Sequence, residues 1–371
     1  MYKNLVRAAL AALSVSACLL AAAATKPVAA TLAPPKSPLK VAFVYVSPIG
    51  NAGWTYQHNQ GRLVMENKLG DKVKTIYIEN VAEGPDAERV MRDLAAHNHQ
   101  LIFATSFGYM EPALRVAQDF PGVAFEHMGG YKTAPNLNTY NARFYEGRYL
   151  AGMVAGRMSK TGTAGYVAGF PIPEVIQGIN AFTLGMRVAN PKAQVKVLWL
   201  NSWFDPAKER EAALSLVNEG VDTLTYHSGS TAVPALAEEK GVMLLGYQSD
   251  MRDVAPKSQL TSVTHDWGAY YTSVVQAVIA GKWKVQPFWG GVREHVIRMA
   301  PFSPRVPADV QHQIVDVERS LAAGRLHPFS GRIVDQAGKV RQSSGRISDA
   351  DLMKMDYFVQ GVAGTLPAAS R

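Results

Sequence analysis

The sequence predicts an α/β fold of two doubly wound, parallel-sheet lobes joined by a hinge, and three observations lead there. From Lys40 onward, short apolar runs alternate with stretches of helical periodicity, the pattern of strands linked by right-handed helical crossovers in a parallel sheet. The same alternation restarts after Lys160-Thr161-Gly162-Thr163, so the chain holds two similar halves. Its 371 residues, 47% hydrophobic and 18% charged, suffice to bury two cores.

The first half reads as strand Lys40 to Val46, helix Gln60 to Leu69, strand Val73 to Ile78 and helix Asp86 to His97. Strand Leu101 to Thr105, helix Glu111 to Asp119 and strand Val123 to His127 continue it, and strand-like Leu137 to Ala142 and helix Tyr145 to Met158 lead on. The second half begins with strand Ala164 to Ala168, helix Glu174 to Ala189, strand Val195 to Leu200 and helix Ala207 to Glu219. Strand Thr223 to Tyr226, helix Ala232 to Lys240 and strand Val242 to Tyr247 complete it.

Beyond lie a short β run, Gln259 to Val263, a long helical pattern, Trp267 to Ala280, and a β-like stretch, Glu294 to Met299. Ile333 to Lys339 suggests a hairpin turning near Gln336 to Gly338, and Ser348 caps a last helix to Met355. Bilobed α/β chains cross between lobes more than once. Lobe one is therefore expected at 40–145 plus about 265–285, and lobe two at about 146–264 plus 286–371.

Residues 1–24 read as an export signal, because Lys3 and Arg7 precede an apolar stretch from Ala8 to Ala24. Ala22-Ala23-Ala24 suits signal peptidase I, while Val15-Ser16-Ala17-Cys18 fits a lipobox in which Cys18 is lipidated; both readings stand. A Pro-rich tether, 25–39, follows. Cys18 is the only cysteine, so no disulfide or cysteine metal site is available to the mature chain. The formal charge of +8 drops by two when Lys3 and Arg7 leave, and the basic residues are scattered. Nucleic acid is therefore not the expected partner, and membrane contact is expected only through a lipid anchor.

Gly53-Trp54-Thr55-Tyr56-Gln57-His58 follows the first strand and delivers a large aromatic to a helix start, where open α/β sheets bind small molecules. Catalytic motifs are lacking: there is no HExxH, GxSxG or Walker loop, and the first turn carries Asn51 and Ala52 between Gly50 and Gly53. The nine histidines are dispersed without helical metal-site pairs, so neither metal nor cofactor is expected. His127 ends a strand and reads equally as a cleft residue or a packed one. Tyr226-His227-Ser228 ends another, but no acid partner for a nucleophile is locatable from sequence.

Tyr145-Glu146-Gly147-Arg148-Tyr149-Leu150-Ala151-Gly152, Gly246-Tyr247-Gln248-Ser249-Asp250, Pro328-Phe329-Ser330-Gly331 and Asp335-Gln336-Ala337-Gly338 together resemble the basic membrane protein family. These are PnrA-like substrate-binding proteins of ABC importers, and the resemblance spans Lys40 to Val362. It implies a type I periplasmic-binding fold, a periplasmic location, a permease and an ATPase as partners, and no catalysis. It also implies that aromatics from both lobes sandwich a purine, positions held here by Trp54 and Trp203. Thr55, Ser106, Phe107, Tyr109, Glu126 and His127 are the edge-reading candidates by position.

Where nucleoside receptors of that family place Asp, Asn and Lys for the sugar, this chain carries Asn51, Thr55, Gln248 and His265, keeping only Asp250. Loss of charged groups disfavours ribose, since buried hydroxyls need partners. A free purine base, adenine foremost, is the expected ligand, ahead of a nucleoside. The rival functions are a periplasmic nucleoside-processing hydrolase using His127, Glu126 or Asp250, and a ligand sensor docking on a membrane receptor.

Overall fold

The computed structural model describes Leu32 and residues 36–367, so the export segment, Cys18 and most of the tether lie outside the described residues. Lobe one interleaves β1 (Leu39–Val44), α1 (Trp54–Leu69), β2 (Val73–Ile78), α2 (Pro85–Ala96), β3 (Leu101–Ala104), α3 (Met110–Asp119), β4 (Ala124–Met128) and β5 (Leu137–Ala142). Lobe two opens with α4 (Phe144–Met158), then β6 (Thr163–Ala168), α5 (Pro173–Ala189), β7 (Gln194–Trp199) and α6 (Pro206–Asn218). It continues through β8 (Thr223–His227), α7 (Ala232–Lys240), β9 (Met243–Gln248) and β10 (Gln259–His265). The chain then returns to lobe one as α8 (Gly268–Ile279), packed on α1, and β11 (Phe288–Gly290). Finally β12 (Ile297–Met299), α9 (Ala308–Ala322), the hairpin β13 (Ile333–Val334) and β14 (Val340–Gln342), α10 (Asp349–Leu352) and β15 (Val362–Ala363) complete lobe two.

The lobe-one sheet runs β11-β5-β4-β3-β1-β2 and is parallel throughout. The lobe-two sheet runs β12-β10-β9-β8-β6-β7-β15, with β12 alone antiparallel to its neighbour. In both sheets the order reverses beside the first strand, between β1 and β3 and between β6 and β8. Such switch points leave a crevice at the strands' carboxyl ends.

Near-continuous apolar strands form because helices cover both faces. Ala42, Val44, Ile102 and Ala104 pack toward α2 and α3, while Val41, Phe43, Leu101 and Phe103 enter the main core on the other face. Phe43 and Phe103 stack there at 4.6 Å, a contact type that contributes about 0.5–1.5 kcal/mol beyond burial. In lobe two, Gly152 lets α4 press onto α5, since a Cβ at that position would overlap the Phe182 carbonyl. The glycine of the Tyr145 to Gly152 motif thus serves helix packing.

Three crossings join the lobes, after β5, after β10 and after β11. Glu146 braces the third: its carboxylate accepts from Val292 N at 2.7 Å and Arg143 Nε at 2.6 Å. The predicted elements recur with small shifts, but α1 begins at Trp54 and not Gln60, because buried Thr55, His58 and Asn59 interrupt the apolar periodicity. Three elements are additions, among them the short β15, which pairs with β7. Strand β11 pairs with β5, which carries lobe one to Gly290, past the expected boundary near 285. Helix α9 packs against α4 through Val310, Ile314 and Leu321.

Candidate ligand-binding cleft

The two switch points face each other, and the loops leaving their strands line a cleft of about 500 Å³, a volume that includes solvent at its mouth. From lobe one, Val46 and Ser47 follow β1, Trp54 opens α1, Ser106 and Phe107 follow β3, and Met128 and Gly129 close β4. From lobe two come Ile172 and Glu174 at the start of α5, Trp203 after β7, His227 at the end of β8 with Ser228 and Gly229 beyond it, and Gln248 at the end of β9.

Trp54 stands in the cleft because it is the first helical residue after Gly53, whose φ of 98° suits glycine. Its indole N–H donates to Thr105 O at 2.8 Å, and its ring meets His58 edge-on at 4.7 Å. Trp203 lies on Gly169 and packs edge-on to Phe170 at 4.8 Å. Its N–H crosses to lobe one, donating to Glu83 Oε1 at 3.1 Å. A second link between lobes is the donation from Gly53 N to Ser249 Oγ at 2.9 Å. The cleft is therefore in a closed form.

Its polar end is unusual for so apolar a space. Gln248 Oε1 and His227 Nδ1 are buried without a hydrogen-bond partner, an arrangement that costs free energy unless a ligand supplies one. Burial, assisted by the charges of Arg148 and His265, holds the His227 imidazole well below its usual pKa, so it is neutral. Arg148 itself is buried under the cleft floor, donating to Thr225 Oγ1 at 3.0 Å and Tyr226 O at 2.5 Å. Burial pushes Glu174 up to about 7, against a bond to Asn141 of the opposite lobe. Glu174 Oε1 lies 3.7 Å from His227 Nε2.

Of the residues expected at the site, Trp54, Trp203, Ser106, Phe107 and Gln248 line the cleft. Thr55 sits one layer behind, its hydroxyl bonded to Ser47 Oγ at 2.7 Å. His265 backs Trp54 at 5.4 Å between ring centroids, and its Nδ1 accepts from Trp267 Nε1 at 2.8 Å. Asn51 and Asp250 border a separate outer groove, where the Asp250 carboxylate is engaged by Arg252 and Gln259.

The remaining three, like Thr55, His265, Asn51 and Asp250, lie outside the cleft lining. Tyr109 is fully buried in the lobe-one core, donating to Val81 O at 2.6 Å. Glu126 is tied by Trp283 Nε1 and Tyr270 OH, each at 2.8 Å, and by Asn138 Nδ2 at 3.1 Å, on the α8 side of the sheet. His127 is fully buried, with its pKa lowered by burial to about 3. Strand β4 runs one residue beyond the expected end, so Met128 and Gly129 reach the mouth in their place. The hydrolase candidates His127, Glu126 and Asp250 are thus not brought together. Among the described residues, no group of three or more His, Cys, Asp or Glu is placed to hold a metal ion.

Glu174, Ile172 and Ser47 were not anticipated from sequence, although each follows a strand at a switch point. No described helix is long and apolar enough to cross a membrane.

The profile of the Bmp family, described as ABC transporter substrate-binding protein PnrA-like, matches residues 39–324. A purine-binding protein of Brucella abortus (strain 2308) is 49% identical over 330 residues, covering 89% of this chain and 94% of that protein. A protein of Haloferax volcanii named as a glucose-binding component of an ABC transporter is 37% identical over 330 residues, covering 89% of this chain and 82% of its own. The solved ABC-transporter solute-binding protein of Conexibacter woesei superposes with a TM-score of 0.64 at 24% identity, over 78% of this chain and 98% of its own, a likeness of fold. With its type I bilobed architecture and closed cleft, the chain belongs to the PnrA-like Bmp family and is the extracytoplasmic substrate-binding component of an ABC importer.

Proposed function

We propose that the cleft captures a purine as the free base, adenine foremost, and delivers it to an ABC permease driven by its ATPase. A flat neutral heterocycle is favoured by one observation above all. The space is walled by Trp54 and Trp203 and ends in Gln248 Oε1 and His227 Nδ1, buried groups that await a partner. Stacking supplies about 1–3 kcal/mol per aromatic face, and the base edge would satisfy the orphaned polar atoms. A neutral imidazole and a primary amide each offer donor and acceptor, matching the alternating edge of a purine.

The acid that the family's nucleoside receptors would keep for ribose, Asp250, is bound to Arg252 and Gln259 in the outer groove, which supports the base over the nucleoside. The Haloferax relative's name raises a sugar as the second reading. A sugar also stacks on tryptophan, yet each buried hydroxyl needs its own partner. In this cleft Ser228 is already engaged, donating to Glu209 at 2.8 Å, and Ser106 donates to Glu83 at 2.6 Å.

Calorimetric titration of the refolded, ligand-free protein with adenine, adenosine, guanosine, inosine and glucose tests the reading. Adenine is expected to bind most tightly; tight nucleoside binding with none of the bases would overturn the base preference, and glucose binding alone would overturn the purine. Incubation with adenosine checks the hydrolase rival, since release of adenine would reveal turnover. Periplasmic export, with lipid attachment at Cys18 or cleavage after Ala24, is read from the mass of the mature amino terminus.

A further inference from the structure

Glu83, in the loop between β2 and α2, has one carboxylate oxygen at the meeting point of three donors. Oε1 accepts from Ser106 Oγ at 2.6 Å and from Gly108 N at 2.8 Å, both within lobe one. It also accepts from Trp203 Nε1 of lobe two at 3.1 Å. The lobe-one pair aims the oxygen; Phe170 and Gly169 aim the indole from the other side.

The position of this contact gives it leverage. All three crossings leave from one edge of the sheets, around β5, β11, β10 and β12. Glu83 follows β2, the opposite edge of the first sheet, and Trp203 follows β7, next to the opposite edge of the second. A rotation about the hinge separates that far side most, so its hydrogen bond must break before the cleft can open.

We propose that Glu83 is a positioning residue for capture, fastening Trp203 across the mouth and setting how long the closed form holds its ligand. Trp203 then has two roles that can be separated: its ring face forms a wall of the cleft, and its N–H fastens the lobes. A hydrogen bond to a charged acceptor that exists only in the closed form slows opening and leaves encounter unchanged, so it acts on the dissociation rate. The proposal requires a closed, liganded form and is independent of which ligand fills it.

The test is a double-mutant cycle with adenine as the probe, its release followed by stopped-flow tryptophan fluorescence. Glu83→Ala and Trp203→Phe, which keeps an aromatic face without the N–H, are each expected to speed release by about threefold to tenfold. The double variant should release no faster than the faster single one. Gly108→Ala provides an independent variant, because the added Cβ overlaps the Glu83 carboxyl and displaces it while its charge remains; it too should speed release. Additive effects, or release rates equal to wild type, would overturn the proposal. If wild-type protein binds no adenine, the purine reading fails, and the fastening is read instead from spin labels at the exposed positions Arg89 and Glu211. Glu83→Ala must then lengthen the label separation, and an unchanged distance would overturn it.

Discussion

Trp54 and Trp203 face the same cleft and are held there in opposite ways. Trp54 is anchored by its own lobe and the hinge: its N–H meets Thr105 O, and its ring rests on His58, Phe144 and His265. Trp203 leaves β7 in a loop, and its N–H finds a partner only on the far lobe, at Glu83. The N–H of one wall is satisfied within its own lobe, and that of the other only across the cleft, by the fastening proposed above. A preformed wall gives affinity at little ordering cost, while a wall finished on closing couples the ligand to the hinge. The importer needs both, because it must bind tightly in free solution and still release to its permease.

Trp54→Ala should have the largest effect if this division holds. Removing the preformed face is expected to weaken adenine binding by about tenfold to a hundredfold in calorimetry. The melting temperature should fall little, because the ring is half-buried and lies at the edge of the core. A steep fall in stability without a change in affinity would mean that Trp54 is a core residue.

Gly53→Ala probes closure from the other direction. Its φ of 98° strains any side chain, and a Cβ there would sit 2.5 Å from the Gly229 carbonyl of lobe two. The open form has room for the methyl and the closed form does not. Affinity should therefore drop by about tenfold, mainly through faster release. Unchanged affinity would show that the two loops do not meet in the liganded protein.

The sequence made the strand ends legible and left the partners across the cleft hidden. Strands β2 and β5 and helix α7 match their expected spans because apolar runs and helical periodicity are local signals. The cleft positions of Trp203, Ser106, Phe107 and Gln248, at or just after strand ends, and of Trp54, at the helix start after β1, were readable from such local signals. Glu126 and His127 were misplaced by a single residue of strand length, since both lie within β4 and only Met128 and Gly129 at its end reach the mouth. Glu83 and Glu174 also follow strands, but nothing in the local sequence marks their partners. Glu83 matters through a residue 120 positions away and Glu174 through Asn141 on the opposite lobe, pairings that only the closed fold creates. Helix α9 does carry a signal, Val310, Ile314 and Leu321 on one face, diluted by the polar residues between them.

Two buried acids extend the contrast between the preformed and the completed side. Glu126 and Glu174 are both raised to about 7 by burial, but Glu126 is enclosed by Trp283, Tyr270 and Asn138 of its own lobe. Glu174 lies in the cleft, where opening would return water to it and bring its pKa back toward the usual 4.5. Closure thus takes up a proton at Glu174 when the pH lies between the open and closed values. The sign follows: the closed form binds more protons in that window, so affinity falls as pH rises from about 5 toward 7 and levels off above. The neighbouring His227, lowered by the same burial, works the other way below its usual 6.5 and blunts the wild-type profile at the acid end. Adenine affinity measured from pH 5 to pH 8 in Glu174→Gln separates the two. Relative to that variant, wild type should lose on the order of tenfold to a hundredfold across the range. Glu126→Gln should leave the binding profile parallel to wild type, because its proton belongs to folding: there the raised pKa adds stability below 4.5 that is lost as pH climbs through about 7. If the two variants shift the binding profile alike, Glu174 is not enclosed by closure, and the cleft on that side is as preformed as the wall at Trp54.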